Sequence, residues 1–227
     1  MCTELLVAVE IGWGGRMGAF ASEIARSLPP GLSLPHELVA AFDWMESVGA
    51  VGRMKNGQYV GMTDPEALNQ SGGCLVHFYP ADPRVVRAWT GSNASDLDRL
   101  APIAQTGSDG SMAGLWRDDD GRIRIVHLGS GSGSISVGIF TRSPLDFLRL
   151  LAVGYQELCW PDEYEMLPIE TCFDRSTYRP PTRFRSWLTS TYSVTIPSTA
   201  APLVLPMANI GEPSDDPFCR WLTALTA

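Results

Sequence analysis

The pair of residues that most resembles a metal site is Cys74 with His77, since thiolate and imidazole are both common zinc ligands. The two residues lie three apart in Gly-Gly-Cys-Leu-Val-His-Phe-Tyr, a stretch that predicts a strand within residues 72–79. Residues at an odd spacing in a strand point to opposite faces, so these side chains would not converge. The only other histidines are His36 and His127, whereas structural zinc sites need four convergent ligands. The sequence therefore predicts no metal site.

Two further patterns suggest nucleotide or calcium binding. Residues 12–18 contain Gly-x-Gly-x-x-x-Gly, which is one residue longer than the dinucleotide fingerprint, and Trp13 would crowd a pyrophosphate. Residues 118–120 are three consecutive aspartates before Gly121, whereas a calcium loop needs ligands at alternate positions and a closing glutamate. We therefore expect a glycine-rich turn at the first place, a solvated hairpin turn at the second, and no cofactor at either.

The residue patterns of common hydrolases and nucleotide-binding enzymes are missing. The sequence contains no Gly-x-Ser-x-Gly elbow and no Walker loop, and Lys55 is its single lysine. His127 lies in an alternating strand, where a packed imidazole is favoured over a general base. These features favour a protein that is not an enzyme. The alternative is a small hydrolase-like enzyme whose site is assembled from scattered groups, such as His77 or His127 with a nearby carboxylate.

The acidic residues are distributed unevenly along the chain. The net charge is −8 and the pI about 4.8, which argues against nucleic-acid binding, because that affinity comes from clustered lysines and arginines. Residues 157–174 contain six acids and neither lysine nor arginine, with Trp160 and Tyr164 interleaved. This segment is either a solvated loop or an acidic surface with aromatic anchors for a basic protein partner. The candidate contact residues are Trp160, Asp162, Glu163, Tyr164 and Glu165.

Length and composition bound the class of protein. With 227 residues, 44% hydrophobic and 19% charged, the chain is one large domain or one domain with an extension. No run approaches the roughly 20 apolar residues of a membrane span, and residues 1–15 lack the basic start of a secretory signal. The five cysteines contain no Cys-x-x-Cys pair, which is typical of reduced, buried thiols. We therefore expect a cytoplasmic protein with no membrane partner.

Capping residues and hydrophobic periodicity predict the helices. Residues 143–146 (Ser-Pro-Leu-Asp) form a clear helix start, with a capping serine, a proline in the first position and an acid in the first turn. The apolar face of this helix continues to Leu158. An earlier helix begins at the cap Ser33, with Pro35 in its first turn, and ends at Gly49. Further helices are predicted over residues 20–27, 182–192 and 217–225, the last capped by Asp215 or Asp216.

An alternation of apolar and polar residues predicts the strands. Asn56-Gly57 predicts a two-residue hairpin turn, because both turn positions require positive φ. Residues 129–133 predict a mobile loop between two strands. Strands are predicted over residues 51–54, 59–62, 74–79, 85–89, 112–116, 123–128 and 134–140, with a helical turn over residues 96–100. The pattern predicts an α+β fold, with a mainly antiparallel, twisted sheet flanked by helices and a C-terminal helical extension.

Several segments of the chain, in their order, resemble the SUKH superfamily. They are residues 103–110 (Ile-Ala-Gln-Thr-Gly-Ser-Asp-Gly), residues 115–119 (Leu-Trp-Arg-Asp-Asp), residues 125–128 (Ile-Val-His-Leu) and residues 143–148 (Ser-Pro-Leu-Asp-Phe-Leu). In that family an Ile-Gly or Ile-Ala step leads to a Gly-Ser-Asp-like turn. A strand with an aromatic residue, a turn with acids, another strand and a closing helix follow. Leu34-Pro35 is similar to the family's helix start.

The resemblance implies a SUKH-like α+β core over residues 31–160. Residues 1–30 would be an N-terminal segment, and residues 161–227 a C-terminal extension packed on the core as one folding unit. In bacteria such proteins are commonly immunity proteins, which neutralise a toxin, often a nuclease, by binding to it. Other members of the family are regulatory scaffolds.

The resemblance also adds candidate contact residues. Ser108, Asp109 and Trp116 lie in the matching motifs, whereas Gly107 and Gly110 are expected to have a structural role. Nuclease toxins are usually basic at their nucleic-acid site, so an acidic protein could cover that site. The sequence thus predicts a protein partner with a basic surface and an inhibition by occlusion.

Overall fold

The computed structural model describes residues 17–68, 74–91, 95–172 and 174–226. The glycine-rich turn predicted over residues 12–18 lies outside these ranges except at its last two positions. In the described residues eight strands form one antiparallel sheet in the order β1 to β8. The strands are β1 (Val51–Arg53), β2 (Tyr59–Met62), β3 (His77–Phe78), β4 (Leu100–Gln105), β5 (Met112–Arg117), β6 (Ile123–Leu128), β7 (Ser136–Ile139) and β8 (Ala208–Asn209).

Helices surround this sheet and confirm the predicted α+β fold. They are α1 (Ala19–Ser27), α2 (His36–Ser47), α3 (Pro83–Thr90), α4 (Pro144–Val153), α5 (Pro168–Thr171), α6 (Thr182–Tyr192) and α7 (Pro217–Thr226). Single 3₁₀ turns lie at Pro65–Leu68, Ser95–Arg99, Pro161–Glu163 and Arg175–Thr177. The C-terminal helix expected from the sequence is α7.

The two faces of the sheet carry separate hydrophobic cores. The larger core lies under α1, α2, α4 and α6, and the smaller core under α3 and α7. Strand β5 contributes side chains to both cores, because alternate residues of a strand point to opposite faces of the sheet. Leu115 belongs to the larger core and Trp116 to the smaller core. Large members of the larger core are Phe20, Phe42, Phe78, Phe147 and Phe184, and those of the smaller core are Leu100, Trp116, Val137, Phe218 and Trp221.

Helix α4 forms as its sequence predicts at the start but ends earlier. Ser143 Oγ accepts a hydrogen bond from the backbone N–H of Asp146 at 3.0 Å. Gly154 then takes a left-handed conformation, with φ of 100°, and ends the helix. The predicted continuation to Leu158 is therefore wrong. The guanidinium of Arg185 on α6 donates to the last carbonyls of α4, at 3.0 Å from each, and so fixes the two helices together.

Helix α2 follows the predicted apolar face, but its predicted cap is wrong. Leu38, Phe42 and Met45 are fully buried in the larger core, and Gly49, with φ of 75°, follows the end of the helix. The N-cap position is Pro35, and no side chain caps the helix there. Ser33 therefore lies outside the helix.

Helix α3 contradicts the strand predicted over residues 85–89. Asp82 caps the helix by accepting a hydrogen bond from the backbone N–H of Arg84 at 2.9 Å, and Pro83 occupies the first turn. Gly91, with φ of 61°, ends it. The run of Val85 and Val86 favours a strand by type, but the cap and the proline determine the helix.

The hairpin of β1 and β2 is confirmed, although its turn differs from the predicted one. The loop spans five residues, 54–58, and Gly57 is its single residue with positive φ, at 84°. The backbone N–H of Met54 donates to the carbonyl of Gln58 at 2.9 Å and closes the loop. Asn56 accepts the backbone N–H of Gln58 instead of adopting a left-handed conformation.

Besides α6, which packs on α4, strand β8 and helix α7 join the residues after 160 to the rest of the chain. Strand β8 pairs with β7 and becomes the edge of the sheet, with Asn209 opposite Ser136. Helix α7 begins where predicted, with Asp216 accepting the backbone N–H of Phe218 at 2.8 Å. The other oxygen of Asp216 accepts the N–H of Ile139 in β7 at 3.0 Å, so the cap also joins α7 to the sheet.

Candidate protein-binding surface

The loop between β4 and β5 is held by the carboxylate of Asp109. This group accepts hydrogen bonds from the backbone N–H and the Oγ of Ser111, at 2.9 and 2.8 Å. It also accepts from Ser130 Oγ at 2.9 Å and from the backbone N–H of Ser134 at 2.8 Å. Burial alone would raise the pKa of Asp109, but these hydrogen bonds outweigh it and lower the pKa. An ionised Asp109 therefore anchors the loop of residues 129–133, which the sequence indicated as mobile, to the β4–β5 loop.

The segment after α4 joins the same loops through Glu157. Its Oε1 accepts the backbone N–H of Ser108 at 2.8 Å, and its Oε2 accepts the indole N–H of Trp160 at 2.8 Å. Burial would raise the pKa of Glu157, but the hydrogen bonds from Ser108 and Trp160 outweigh it and lower the pKa. The two groups of candidate contact residues, one from the acidic segment and one from the family motif, therefore meet at Glu157.

Gly107 and Gly110 have the structural roles expected of them. Gly110 has φ of 95°, which side-chain-bearing residues avoid. A Cβ on Gly107 would clash with Cys159 Sγ. Gly107 thus lets the β4–β5 loop pass close to the segment that carries Glu157, and Gly110 lets the loop turn.

An open groove of about 680 Å³ lies beside Trp160 at the β7–β8 edge of the sheet. One side consists of residues 160–165, and the other of residues 204–209 with residues 133–136 at the start of β7. Its apolar surface includes Ile135, which is 46% exposed although isoleucine is usually buried. We call this the acidic groove, and its lining includes Ile135, Trp160, Asp162, Tyr164, Glu165, Leu205, Met207 and Asn209.

The charge of the acidic groove is of one sign. Asp162 and Glu165 are both exposed, and no lysine or arginine is among the residues that line the groove. Glu163 lies next to them, partly buried, and its pKa is raised by burial first and then by the negative charge of Glu157. The groove therefore presents two exposed carboxylates beside an aromatic and aliphatic surface.

Two of the eight predicted contact residues are buried, so the prediction is wrong for them. Trp116 is 1% exposed, with its ring 5.4 Å from Phe218 and 5.9 Å from Trp221, because α7 covers the face of β5 that the sequence left open. Tyr164 is 5% exposed, and its hydroxyl donates to the carbonyl of Leu158 at 2.8 Å. Trp116 is a residue of the smaller core, and Tyr164 supports the groove from behind.

The remaining six predicted residues lie at or near the acidic groove. Trp160, Asp162 and Glu165 line it. Glu163 is their partly buried neighbour, and Asp109 and Ser108 belong to the loop that is fixed to Glu157 and Ser134. Of the three candidate contact residues taken from the family motifs, Ser108, Asp109 and Trp116, only Ser108 is exposed.

Sequence reasoning missed the second side of the groove, namely Ile135 and residues 204–209. Residues 204–209 follow the acidic segment by some forty positions in the chain. They reach it through pairing of the two-residue strand β8 with β7, which is too short to leave a pattern in the sequence. Ile135 did leave a signal, because it is a single large apolar residue at the end of a Gly-Ser tract.

His127 is a packed imidazole, as the sequence predicts. It is fully buried, with Nδ1 2.9 Å from the carbonyl of Ser136 and Nε2 3.5 Å from Thr106 Oγ1. Burial lowers its pKa to about 4, so the ring is neutral near pH 7. Its neighbours are thus structural partners and include no hydrogen-bonded carboxylate.

The other histidines give the enzyme alternative no support either. Nδ1 of His77 lies 3.0 Å from the carbonyl of Leu75, and burial lowers its pKa. His36 is exposed at the start of α2, 3.3 Å from the carboxylate of Glu37. Neither histidine combines a cleft with a carboxylate in hydrogen-bond reach, which an acid–base site requires.

Neither a metal-binding cluster nor a membrane-spanning helix occurs in the described ranges. No group of three or more His, Cys, Asp or Glu side chains is arranged to hold a metal ion within the residues that the structure describes. No helix in that part of the chain is long and apolar enough to cross a membrane. The described cysteines are free and buried, namely Cys74, Cys159, Cys172 and Cys219.

Comparisons with known proteins leave the family open. No protein-family model, no curated protein and no solved structure matches the chain. The groove and the resemblance of the motifs are therefore the features from which a function can be inferred.

Proposed function

We propose that this protein is a non-catalytic binding module that takes a basic segment of a partner protein into the acidic groove. The observation that carries the proposal is the composition of the groove. Asp162 and Glu165 stand beside Trp160 and Ile135, with no cation in the lining. An apolar centre with a charged rim is the usual composition of a protein interface.

The roles of the two kinds of residue differ. The carboxylates attract a basic partner over distance, which speeds encounter and weakens with salt. Trp160 supplies aromatic area for a buried anchor or for a cation over its ring. Its indole N–H is already held by Glu157, so little side-chain freedom is lost when a partner binds.

The partner that fits best is a bacterial toxin of the nuclease type, with this protein as its cytoplasmic immunity protein. Two arguments support this choice: the resemblance of residues 28–158 to the SUKH superfamily, and the match between an acidic groove and the basic nucleic-acid site of a nuclease. Binding there would inhibit the toxin by occlusion, with no chemistry by this chain. A regulatory adaptor with several partners is the second use of such a surface.

Co-expression tests the proposal. The chain is produced together with a basic toxin encoded beside it, and growth rescue and a stable complex are measured. We expect rescue by the wild type and weaker rescue by the double variant Asp162→Asn/Glu165→Gln. The control is Asp98→Asn/Glu66→Gln, which removes the same two charges from exposed positions outside the groove.

The outcomes separate the alternatives. Rescue that is lost equally in both double variants would indicate that overall charge matters and the groove does not. A range of unrelated proteins that co-purify in place of one toxin would favour the adaptor. Turnover of a substrate by the purified protein would overturn the non-catalytic assignment.

A further inference from the structure

A second cavity, of about 430 Å³, lies between α3 and α7 on the side of the smaller core. Its walls come from the end of α3, with Trp89, and from α7, with Leu222, and Val137 of β7 lines it between them. We call this the α3–α7 cleft. Its volume is within the range of about 300–1,000 Å³ that is usual for small-molecule sites.

The cleft and the acidic groove are separate sites. Successive residues of β7 point to opposite faces of the sheet, and Ser136 lines the groove whereas Val137 lines the cleft. The β7–β8 edge stands between them, and Asn209 on this edge is the one residue that lines both. A segment that occupies the acidic groove would have to pass around this edge to enter the cleft.

The inner surface of the cleft is apolar and its polar groups lie at the rim. Trp89 directs its indole N–H away, to the carbonyl of Gly129 at 2.8 Å, so its ring presents carbon atoms to the cleft. Burial raises the pKa of Cys219 to about 11, and this neutral thiol donates to the carbonyl of Val137. The interior therefore favours an apolar body.

The rim carries one charged residue, Glu212. Asn209 Nδ2 donates to Glu212 Oε2 at 3.1 Å, and the backbone N–H of Glu212 donates to the carbonyl of Asn209 at 3.0 Å. The carboxylate is thus held at the rim by its own turn. No lysine or arginine is among the residues that line the cleft, so a negatively charged ligand would meet no compensating charge.

We propose that the α3–α7 cleft binds a small amphipathic amine, with its apolar body against Trp89, Val137 and Leu222 and its ammonium group at Glu212. The proposal does not depend on the proposed partner of the acidic groove, because the two cavities lie on opposite faces of the sheet.

Two probes of matched shape and opposite charge test it. 4-Phenylbutylamine and 4-phenylbutyrate are titrated into the full chain labelled with ¹⁵N at the tryptophan indoles. Trp89 reports on the cleft, Trp160 on the groove, and Trp44 with Trp187 on the opposite, four-helix face. We expect the amine to shift the indole signal of Trp89 and to leave the signals of the other three tryptophans unchanged. The carboxylate should bind about tenfold more weakly than the amine, because its negative charge would lie near Glu212 in partly exposed surroundings.

Variants distinguish the site from general attraction by an acidic protein. Glu212→Gln should bring the two probes to similar affinity, whereas Glu165→Gln, which removes one charge from the groove, should leave their ratio unchanged. Leu222→Trp, which fills the cleft, should abolish the Trp89 shift. If that variant does not fold, the comparison of the two charge variants decides alone.

Three results would overturn the proposal: no shift of Trp89 with either probe, equal affinity for both probes in the wild type, or a shift of Trp160 in place of Trp89. The last of these would assign amine binding to the acidic groove instead.

Discussion

The two faces of the sheet differ in how completely helices cover them. Four helices close the face of the larger core, where aromatic side chains such as Phe42, Phe78 and Phe147 are fully buried. On the other face only two helices, α3 and α7, cover the sheet in the described residues, and they leave a cleft between them. At the β7–β8 edge the short strand β8 leaves the acidic groove open. The well-covered face is thus the scaffold, and the concave surfaces lie where coverage ends.

The largest expected effect comes from truncating one buried aromatic on each face. Phe147 lies 6.1 Å from the ring of Phe78 and 5.9 Å from that of Phe140 in the larger core. Phe147→Ala should lower the free energy of unfolding by about 4 kcal/mol, because the closed packing cannot collapse around the cavity. Phe218→Ala, in the smaller core, should lower the free energy of unfolding by about 3 kcal/mol. The loss is smaller because α7 borders an open cleft and can move to fill part of the cavity.

Urea unfolding of both variants measures this difference. Hydrogen exchange should also show faster opening confined to α7 and β8 in Phe218→Ala, whereas exchange should rise throughout the sheet in Phe147→Ala. A larger loss of stability in Phe218→Ala would contradict the division into scaffold and partly covered face.

The next effect is on pH dependence and comes from His127, which faces the larger core beside Phe140. Burial lowers its pKa to about 4 in the folded state, against about 6.5 in the unfolded chain. As the pH drops, His127 is protonated in the unfolded chain before it is protonated in the folded protein. The free energy of unfolding should therefore fall by about 3 kcal/mol between about pH 6.5 and about pH 4 because of this residue. Urea unfolding of the wild type and of His127→Gln at several pH values measures it.

We expect His127→Gln to have a flatter profile in this range, since glutamine has no proton to bind. A glutamine amide can also donate to the carbonyl of Ser136. Identical pH profiles for the two proteins would show that the imidazole is not the group responsible.

A smaller effect is expected at Asp109, which joins the loops around the groove. One of its carboxylate oxygens accepts the N–H of Ser111 and the other accepts the N–H of Ser134. Asparagine has one acceptor oxygen, so in Asp109→Asn one of these N–H groups must face an amide NH₂. We expect the free energy of unfolding, measured with urea, to fall by about 2 kcal/mol. Hydrogen exchange should also become faster in residues 129–134.

The matched control is Asp118→Asn. There a single carboxylate oxygen accepts both backbone N–H groups, from Asp120 and Arg122, so asparagine can keep them and loses the bond from Arg124. Asp118→Asn should therefore lower the free energy of unfolding by less than Asp109→Asn does. Equal losses would indicate that charge, rather than the joining of two loops, is what Asp109 supplies.

The smallest effect on stability is expected in the acidic groove itself. Asp162 and Glu165 are exposed, and neither forms an ion pair within the described ranges. Asp162→Asn/Glu165→Gln should therefore change the free energy of unfolding by less than about 0.5 kcal/mol, measured by urea unfolding. A clear stabilisation or destabilisation would mean that these acids have a structural role.

Local signals predicted much of the fold. The cap at Ser143, the proline after it and the turn of residues 118–121 depend on residues a few positions apart, and both the start of α4 and this hairpin turn formed as predicted. Val85 and Val86 are strand-forming residue types and predict a strand, but the cap at Asp82 determines a helix there. The end of α4 was missed because Tyr155 and Leu158 are buried beyond Gly154, so their apolar character continued the helical pattern.

The candidate surface was only half predictable, for a physical reason. The acidic residues and Trp160 are neighbours in sequence, so composition alone identified one side of the groove. The other side depends on pairing between β7 and β8, which joins residues some seventy positions apart. The burial of Trp116 has the same cause, since it is covered by α7 from the end of the chain.

The central claim, that a basic partner binds in the acidic groove, is tested most directly by association kinetics. The rate constant for binding to the co-expressed toxin is measured by stopped flow at low and high salt, for the wild type and for both double charge variants. We predict that Asp162→Asn/Glu165→Gln slows association about tenfold at low salt, that Asp98→Asn/Glu66→Gln has a much smaller effect, and that high salt removes the difference. Association that is indifferent to salt, or equally slow in both variants, would contradict the claim.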